Sequence, residues 1–282
     1  MENLQAQHVC NIIQLNLKQK QQQTDFNIQL PAFSGCEDKI VETSTIEKEG
    51  MREIPLDILN RMLEHLLLKN KYRDVLYLAL GCNTGLRYSD LVRLHVNDLL
   101  NADGSYKANF SLIEKKTTNT RKVKRSRTLY LNNAVKAALY LYMTNSNKQF
   151  TDLLFTSESR NKGIDETGTL KAASEPCFAN MIKGTLKALN ESSEKTNCHS
   201  LRKTFSTNFV LTTDELIEKG IVNMSNDAMS LLQLQLNHSS LAMSRRYIGQ
   251  VDEISSLIVN NMNIGYDVLM NYININNINV NK

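Results

Sequence analysis

Three short segments of this 282-residue chain carry side chains suited to holding and attacking a phosphate. The first is Thr84-Gly85-Leu86-Arg87-Tyr88-Ser89-Asp90-Leu91, where a glycine and an arginine stand at the opening of an expected helix. That placement sets a guanidinium beside exposed backbone N–H groups, and its fork offers bidentate bonds to phosphate oxygens. Asp90, three residues on, falls on the same helical face and is expected to hold Arg87 in one rotamer. The second segment is Cys198-His199-Ser200-Leu201-Arg202-Lys203. His199 and Arg202 project from one face of a helix, while Leu201 turns toward the core. Both lie in the first turn, where the helix dipole also favours an anion. The third is Leu236-Asn237-His238-Ser239-Ser240, followed by Arg245-Arg246-Tyr247-Ile248. Arginines beside a tyrosine favour its phenolate, and a tyrosine nucleophile needs such help because its ordinary pKa is about 10.

Each segment alone also has a plainer reading: a surface arginine after a turn, a histidine packed at a helix start, a core tyrosine on an amphipathic helix. Between the first two segments lies a denser signal. Residues Lys115 to Arg127 include seven basic side chains in thirteen and no acidic one. A strand pair with a basic tip fits a nucleic-acid groove or a row of phosphates. Most of these cations are expected to be solvated, contacting DNA backbone without sequence preference and with salt-sensitive affinity. The expected DNA contacts are Lys115, Arg121, Lys122, Lys124 and Arg125, with Lys203, Arg245 and Arg246 from the other segments.

Several enzyme classes are excluded by what is missing. There is no glycine-rich phosphate loop, no His-Glu-x-x-His, no Gly-x-Ser-x-Gly and no clustered carboxylates suited to two magnesium ions. Phosphate chemistry here is expected to rest on protein cations, with no cofactor, metal or small-molecule substrate. The five cysteines are scattered without a Cys-x-x-Cys pair, which argues against a disulfide framework or a zinc site. No stretch approaches 18 uncharged apolar residues, and the start Met-Glu-Asn-Leu-Gln does not read as a secretion signal. A bacterial cytosol or nucleoid is the expected location, with no membrane partner. The net charge of +4 conceals an uneven distribution: residues 51–250 hold 28 basic and 19 acidic side chains, so the middle of the chain is the part facing a polyanion.

The elements that must position these residues are mostly helical. Residues 1–51 read as an arm and linker, rich in Gln and Lys and then in Pro, Gly, Ser and acids. After Pro55, apolar residues recur at helical spacing through Leu68. A second helix is expected over Tyr72–Leu80, ending at Gly81, and a third over Tyr88–Leu94. Phe110–Lys115 and Ser126–Leu131 read as two short strands. Further helices are expected at 134–143, 174–189, 200–211, 227–236 and 252–261, while Asn271–Lys282 is expected to be poorly ordered or ordered only on a partner. The fold class is therefore mainly α with a small antiparallel β-sheet, an α+β domain over 52–262 followed by a tail at 263–282.

In chain order, the segments resemble the signature of the tyrosine recombinases, the phage integrase family. That signature runs Thr-Gly-Leu-Arg, a lysine on a hairpin, His-x-Leu-Arg, then Leu-Gly-His and a tyrosine nine residues later. Here it reads Thr84-Gly85-Leu86-Arg87, Lys116 before Thr117, His199-Ser200-Leu201-Arg202, and Leu236-Asn237-His238 with Tyr247. The resemblance covers about residues 52–262 and implies the recombinase catalytic-domain fold. It implies that Arg87 and Arg202 clamp the scissile phosphate and that Lys116 protonates the departing 5′ oxygen, with Lys115 the alternative. His199 would assist proton transfer, His238 would hydrogen-bond the phosphate, and Tyr247 would form a 3′-phosphotyrosine. The implied partners are double-stranded DNA and three further copies of the chain, in a homotetramer that exchanges strands through a four-way junction. The apolar positions Ile254, Leu257, Ile258 and Met262 would then suit a helix docking into a neighbouring subunit, with packing inside their own subunit the alternative.

Three departures from the family pattern stand out. Asn237 replaces the usual glycine, which an αL-tolerant residue accommodates. Arg202 and His238 are 36 positions apart, a surplus that falls on Thr212–Asn226 as a loop or extra helix touching DNA or a neighbour. The N-terminal fifty residues are too few for the usual core-binding domain. A telomere resolvase or a type IB topoisomerase-like enzyme would share the same core. A DNA-binding regulatory or replication protein on this fold is the alternative of another class, though it would not require the full spaced set.

Overall fold

A computed structural model of the protein describes residues 51–115, 126–157, 171–222, 228–236 and 248–276. The chain divides into units 1–48 and 49–282, and all described residues belong to the second. Among them, ten helices and one two-stranded sheet follow in order. They are α1 (Leu56–Leu68), α2 (Tyr72–Thr84), α3 (Tyr88–Leu91), α4 (Val96–Leu99), β1 (Asn109–Leu112), β2 (Arg127–Tyr130) and α5 (Asn133–Thr144). Then come α6 (Glu175–Ala188), α7 (Cys198–Glu218), α8 (Ala228–Gln235), α9 (Ile248–Met262) and α10 (Tyr266–Ile275). Mainly helical with a small antiparallel sheet, the fold matches the class expected from sequence.

Helix α2 is the hub. Residues Asp74 to Thr84 are buried without interruption, as befits a helix enclosed on all sides. Helices α1, α5, α7 and α9 pack around it. On one flank Tyr77 stacks on Phe178 with ring centroids 3.7 Å apart, and Phe155 meets both rings edge-on. On another, Asn83 and Asn132 form a buried polar staple. Asn132 Nδ2 donates to Asn83 Oδ1 (2.7 Å) and to the Val259 carbonyl (3.0 Å), while Asn83 Nδ2 donates to the Ile264 carbonyl (3.1 Å). With Asn132 also capping α5 through Val135 N, these two amides join α2, α5 and the end of α9.

Several boundaries differ from expectation. Helix α2 does not stop at Gly81 but continues to Thr84 and ends on Gly85, whose φ of 60° is left-handed. Gly81 serves instead for close packing, since a Cβ there would lie 2.6 Å from Leu201 Cδ1 of α7. Helix α3 is a single turn, shorter than the span to Leu94. The strands pair antiparallel from Asn109↔Tyr130 to Leu112↔Arg127 and are shorter than the apolar pattern suggested.

Helix α7 begins at Cys198, capped by Asn197 Oδ1 on His199 N (2.8 Å), and runs far beyond Leu211. Of the Thr212–Asn226 surplus, residues 212–218 continue α7, and Thr213, Leu216 and Val222 are buried, while residues 223–227 lie outside the described residues. The expected tail is a helix through Ile275. Leu269 and Ile273 of α10 are fully buried, and the Tyr72 and Tyr272 hydroxyls lie 3.0 Å apart. Ile258, read as a docking position for a neighbour, is fully buried within its own unit, and Met262 is half-buried against the same core. Leu257 is exposed, and the Ile254 side chain is outside the described residues. Among the described residues no helix is long and apolar enough to cross a membrane.

Candidate active site

The turn after α2 is where the first two signature segments meet. Gly85 takes its left-handed conformation against the ring of Phe205, leaving no room for a Cβ. Arg87 then caps α3 in extended conformation, and the Tyr88 hydroxyl anchors the turn by donating to the Ala173 carbonyl (2.6 Å). Burial first, helped by nearby Glu175, pushes the Tyr88 phenol up to about 12, so it stays a neutral donor.

Arg202 enters from α7 with its side chain 5% exposed. Its Nη1 donates to the Gly85 carbonyl (2.5 Å) and its Nη2 to the Leu236 carbonyl (3.0 Å). One guanidinium thus joins the turn leading to Arg87 with the end of α8, two residues before His238. His199, in the first turn of α7 as expected, is exposed, as are Lys203 and Lys115.

Asp90 does not hold Arg87. Its Oδ1 accepts the backbone N–H of Lys115 (2.9 Å), and its buried Oδ2 has no hydrogen-bond partner. A four-residue helix gives the i, i+3 spacing little force, and the partner of Arg87 comes from elsewhere in the chain. It is Glu114, fully buried, whose Oε2 accepts from Arg87 Nη1 at 2.7 Å. Glu114 Oε1 accepts from Arg127 Nη1 at 3.0 Å and lies 3.9 Å from Arg202 Nη1. Arg127 also donates from Nη2 to the Thr84 carbonyl (2.6 Å).

Three arginines therefore converge on one carboxylate. Burial alone would raise the Glu114 carboxyl, but Arg127, Arg87 and Arg202 outweigh it and hold it below the ordinary glutamate value. Burial, then Arg127 and Arg87, push Arg202 down to about 9, with Glu114 and Asp90 opposing. Burial likewise brings Arg127 down to about 10 against the pull of Glu114. Arg202 and Arg127 remain cations at neutral pH. Asp90 has its own cation in Arg93 (3.9 Å), so among the described residues the three guanidinium groups around Glu114 leave two net positive charges to meet a phosphodiester.

Glu114 and Arg127 were not singled out as site residues by sequence. Arg127 belonged to the basic run expected to be solvated, yet its side chain is 3% exposed and its Nε is buried without a partner. A signal was present: Glu114 is an isolated acid immediately before the lysine pair that opens this run. Of the other expected site residues, Lys116, His238, Tyr247, Arg121, Lys122, Lys124, Arg125, Arg245 and Arg246 lie outside the described residues. Among the described residues, no group of three His, Cys, Asp or Glu side chains is placed to hold a metal ion.

Comparison with known proteins gives a family and a fold. The sequence profile of the phage integrase family matches residues 53–253. The protein named probable integrase/recombinase YoeC of Bacillus subtilis (strain 168) is 29% identical over 198 residues, covering 70% of this chain and 88% of that one. An integrase from mycobacterium phage Brujita superposes with a TM-score of 0.50 at 15% identity, over 76% of this chain. The chain spans 59% of that integrase's length, and the likeness is one of fold.

Proposed function

The chain belongs to the phage integrase family, the tyrosine-type site-specific recombinases, and from that premise we propose that it cuts and rejoins double-stranded DNA through Tyr247. The Tyr247 oxygen attacks the scissile phosphorus, forming a phosphotyrosine ester as the bond from phosphorus to the 5′ oxygen breaks. His199 takes up the phenolic proton, and Lys116 delivers a proton to the departing 5′ oxygen. Arg87 and Arg202 bind the non-bridging oxygens and meet the extra charge of the pentacoordinate transition state, with His238 adding a hydrogen bond. The ester retains the energy of the broken bond, so the 5′ hydroxyl of a second duplex can reverse the step and join strands.

The observation that carries this reading is the convergence of Arg87 and Arg202, 115 positions apart in sequence, on the single carboxylate of Glu114. Strand exchange through a four-way junction by a homotetramer in the bacterial cytosol or nucleoid is the accompanying proposal. In the domain scheme, residues 52–262 form the catalytic unit, and α10 beyond them completes its core. Lys115, Lys203 and the basic side chains of 121–125 and 245–246 are proposed to contact the DNA backbone.

The test is covalent capture. Nicked duplexes prepared from the source genome are incubated with the protein, and DNA that resists removal by denaturant is sequenced. Wild-type protein should enrich one site and Tyr247→Phe should capture none. Capture by the phenylalanine variant would overturn the choice of nucleophile. Binding without capture by wild type would favour a DNA-binding regulator on this fold. Relaxation of supercoiled plasmid without strand exchange would favour a topoisomerase-like enzyme.

A further inference from the structure

Gathering Arg87, Arg127 and Arg202 at one buried point sets like charges against each other where the dielectric is low and repulsion is strong. Something must hold that group together before any phosphate arrives. We propose that Glu114 and Arg127 are positioning residues of the arginine clamp: Glu114 is a resident counter-anion that fixes the spacing of Arg87 and Arg202, and Arg127 restores the positive charge that Glu114 removes. The inference rests on reading Arg87 and Arg202 as the phosphate clamp.

The geometry divides the task between the two carboxylate oxygens. Oε2 holds Arg87 at 2.7 Å, while Oε1 holds Arg127 at 3.0 Å and faces Arg202 at 3.9 Å. Arg127 is tied in turn to the Thr84 carbonyl, and Arg202 to that of Gly85, so both lean on the turn that presents Arg87. The carboxylate is fully buried and accepts from guanidinium groups of separate elements, so its place is set by the fold and not by solvent. The charge balance requires both members. Asp90 is matched by Arg93, so among the described residues Arg87 and Arg202 against Glu114 alone would leave one positive charge and attract a phosphate less strongly. With Glu114 removed and Arg127 kept, the group would carry three net positive charges and its arginines would spread. With both present, two positive charges are left at a fixed spacing. Lys115 is exposed at the rim, and its backbone N–H is held by Asp90. Preorganised charge of this kind needs no rearrangement at the moment of reaction.

The experiment is a double-mutant cycle on the duplex captured by wild-type protein. Single-turnover cleavage is read at saturating protein, so each rate refers to the bound complex. Glu114→Gln and Arg127→Gln should each slow cleavage by about tenfold to a hundredfold, the effect of displacing a catalytic contact by about an ångström. The double variant Glu114→Gln/Arg127→Gln regains the wild-type net charge, and its loss should be at least about tenfold smaller than the product of the single losses. DNA affinity should stay near wild type, because most of it comes from contacts elsewhere along the backbone. Arg127→Lys, which keeps the charge, should recover part of the rate. Singles as fast as wild type, or a strictly multiplicative double, would overturn the proposal.

A second measurement needs neither variants nor activity. In unliganded wild-type protein, NMR of labelled arginine should show slowly rotating guanidinium groups for Arg87 and Arg202 at neutral pH. Rapid averaging at both would overturn the proposal even if every variant failed to fold. If wild-type protein captured no DNA while these signals stayed slow, the recombinase chemistry would fail and the positioning by Glu114 would stand.

Discussion

Truncating either proposed clamp arginine to alanine should slow cleavage severely, yet the two variants should differ sharply in stability, because the fold grips the side chains differently. Arg202 is almost wholly buried and donates to the Gly85 and Leu236 carbonyls at 2.5 and 3.0 Å. Hydrogen bonds from a charged donor contribute about 1.5–3 kcal/mol each, and truncation leaves both carbonyls short of a partner. Relief of desolvation and of repulsion from Arg87 and Arg127 offsets part of the loss, so we take the low end for both bonds, about 3 kcal/mol in all. In a unit of this size each kcal/mol lowers the melting temperature by about 2–4 °C, which places Arg202→Ala about 6–12 °C below wild type. Arg87 is 21% exposed with one bond to Glu114, which keeps Arg127 when Arg87 is gone. Its removal should cost about 1 kcal/mol and lower melting by about 2–4 °C. Cleavage on the captured duplex should fall by about a hundredfold to a thousandfold in both, with binding much less affected. Equal melting temperatures for the two variants would refute the argument that Arg202 is a structural tie as well as a clamp. Equal losses of binding and cleavage would refute the clamp itself.

Three further outcomes are expected. Gly85→Ala forces a side chain into left-handed backbone against Phe205, costing about 1–2 kcal/mol for the conformation and about 1–3 kcal/mol for overpacking, so thermal denaturation should show a clear drop. An unchanged melting point would mean that the turn relaxes freely. The Glu114 carboxyl titrates below its ordinary 4.5, so the stability that it contributes is present above that pH and lost as pH falls through the lower folded value. Glu114→Gln should therefore flatten the acid limb below pH 4.5 in a denaturation series, and an acid limb as steep as wild type would exclude this source. Ending the chain after Gly249 deletes buried Ile258, Val259, Ile264, Leu269 and Ile273 and should give unfolded protein by circular dichroism, whereas ending it after Asn276 should not.

What the sequence disclosed, it disclosed through local signals. Thr84-Gly85-Leu86-Arg87 and His199-Ser200-Leu201-Arg202 are four-residue patterns whose side chains owe their placement to a turn and a helix start, both written in neighbouring residues. The partner of Arg87 was misassigned to Asp90 because a spacing of three is informative only where a helix persists, and α3 is one turn long. Glu114 reaches Arg87 from 27 positions away, and nothing local announces such a pairing. The same limit hid the Asn83–Asn132 staple and the docking of α10, whose asparagine-rich sequence reads as a tail until Leu269 and Ile273 are seen against the core. Gly81 misled in the opposite direction. A glycine ordinarily suggests a helix end, but here the absent side chain lets α7 approach through Leu201, and packing overrides propensity.

The arginines proposed as the clamp are also struts for the segments proposed to carry the remaining chemistry. Arg202 ties down Leu236, the residue from which the chain proceeds toward His238 and Tyr247, and Asp90 ties down Lys115, the residue before Lys116. Glu114 and Arg127, which flank residues 116–125 in sequence, are paired at 3.0 Å. Removing an arginine therefore does more than delete a phosphate contact, because it also loosens the entry to a segment bearing another reactive group. A lysine in place of Arg202 would preserve charge but present one ammonium where two carbonyls from separate elements are now bridged by a planar fork. The requirement for arginine at this position thus comes from the fold as much as from the phosphate, since one side chain must span α8 and the turn after α2 while still offering a cation to the substrate.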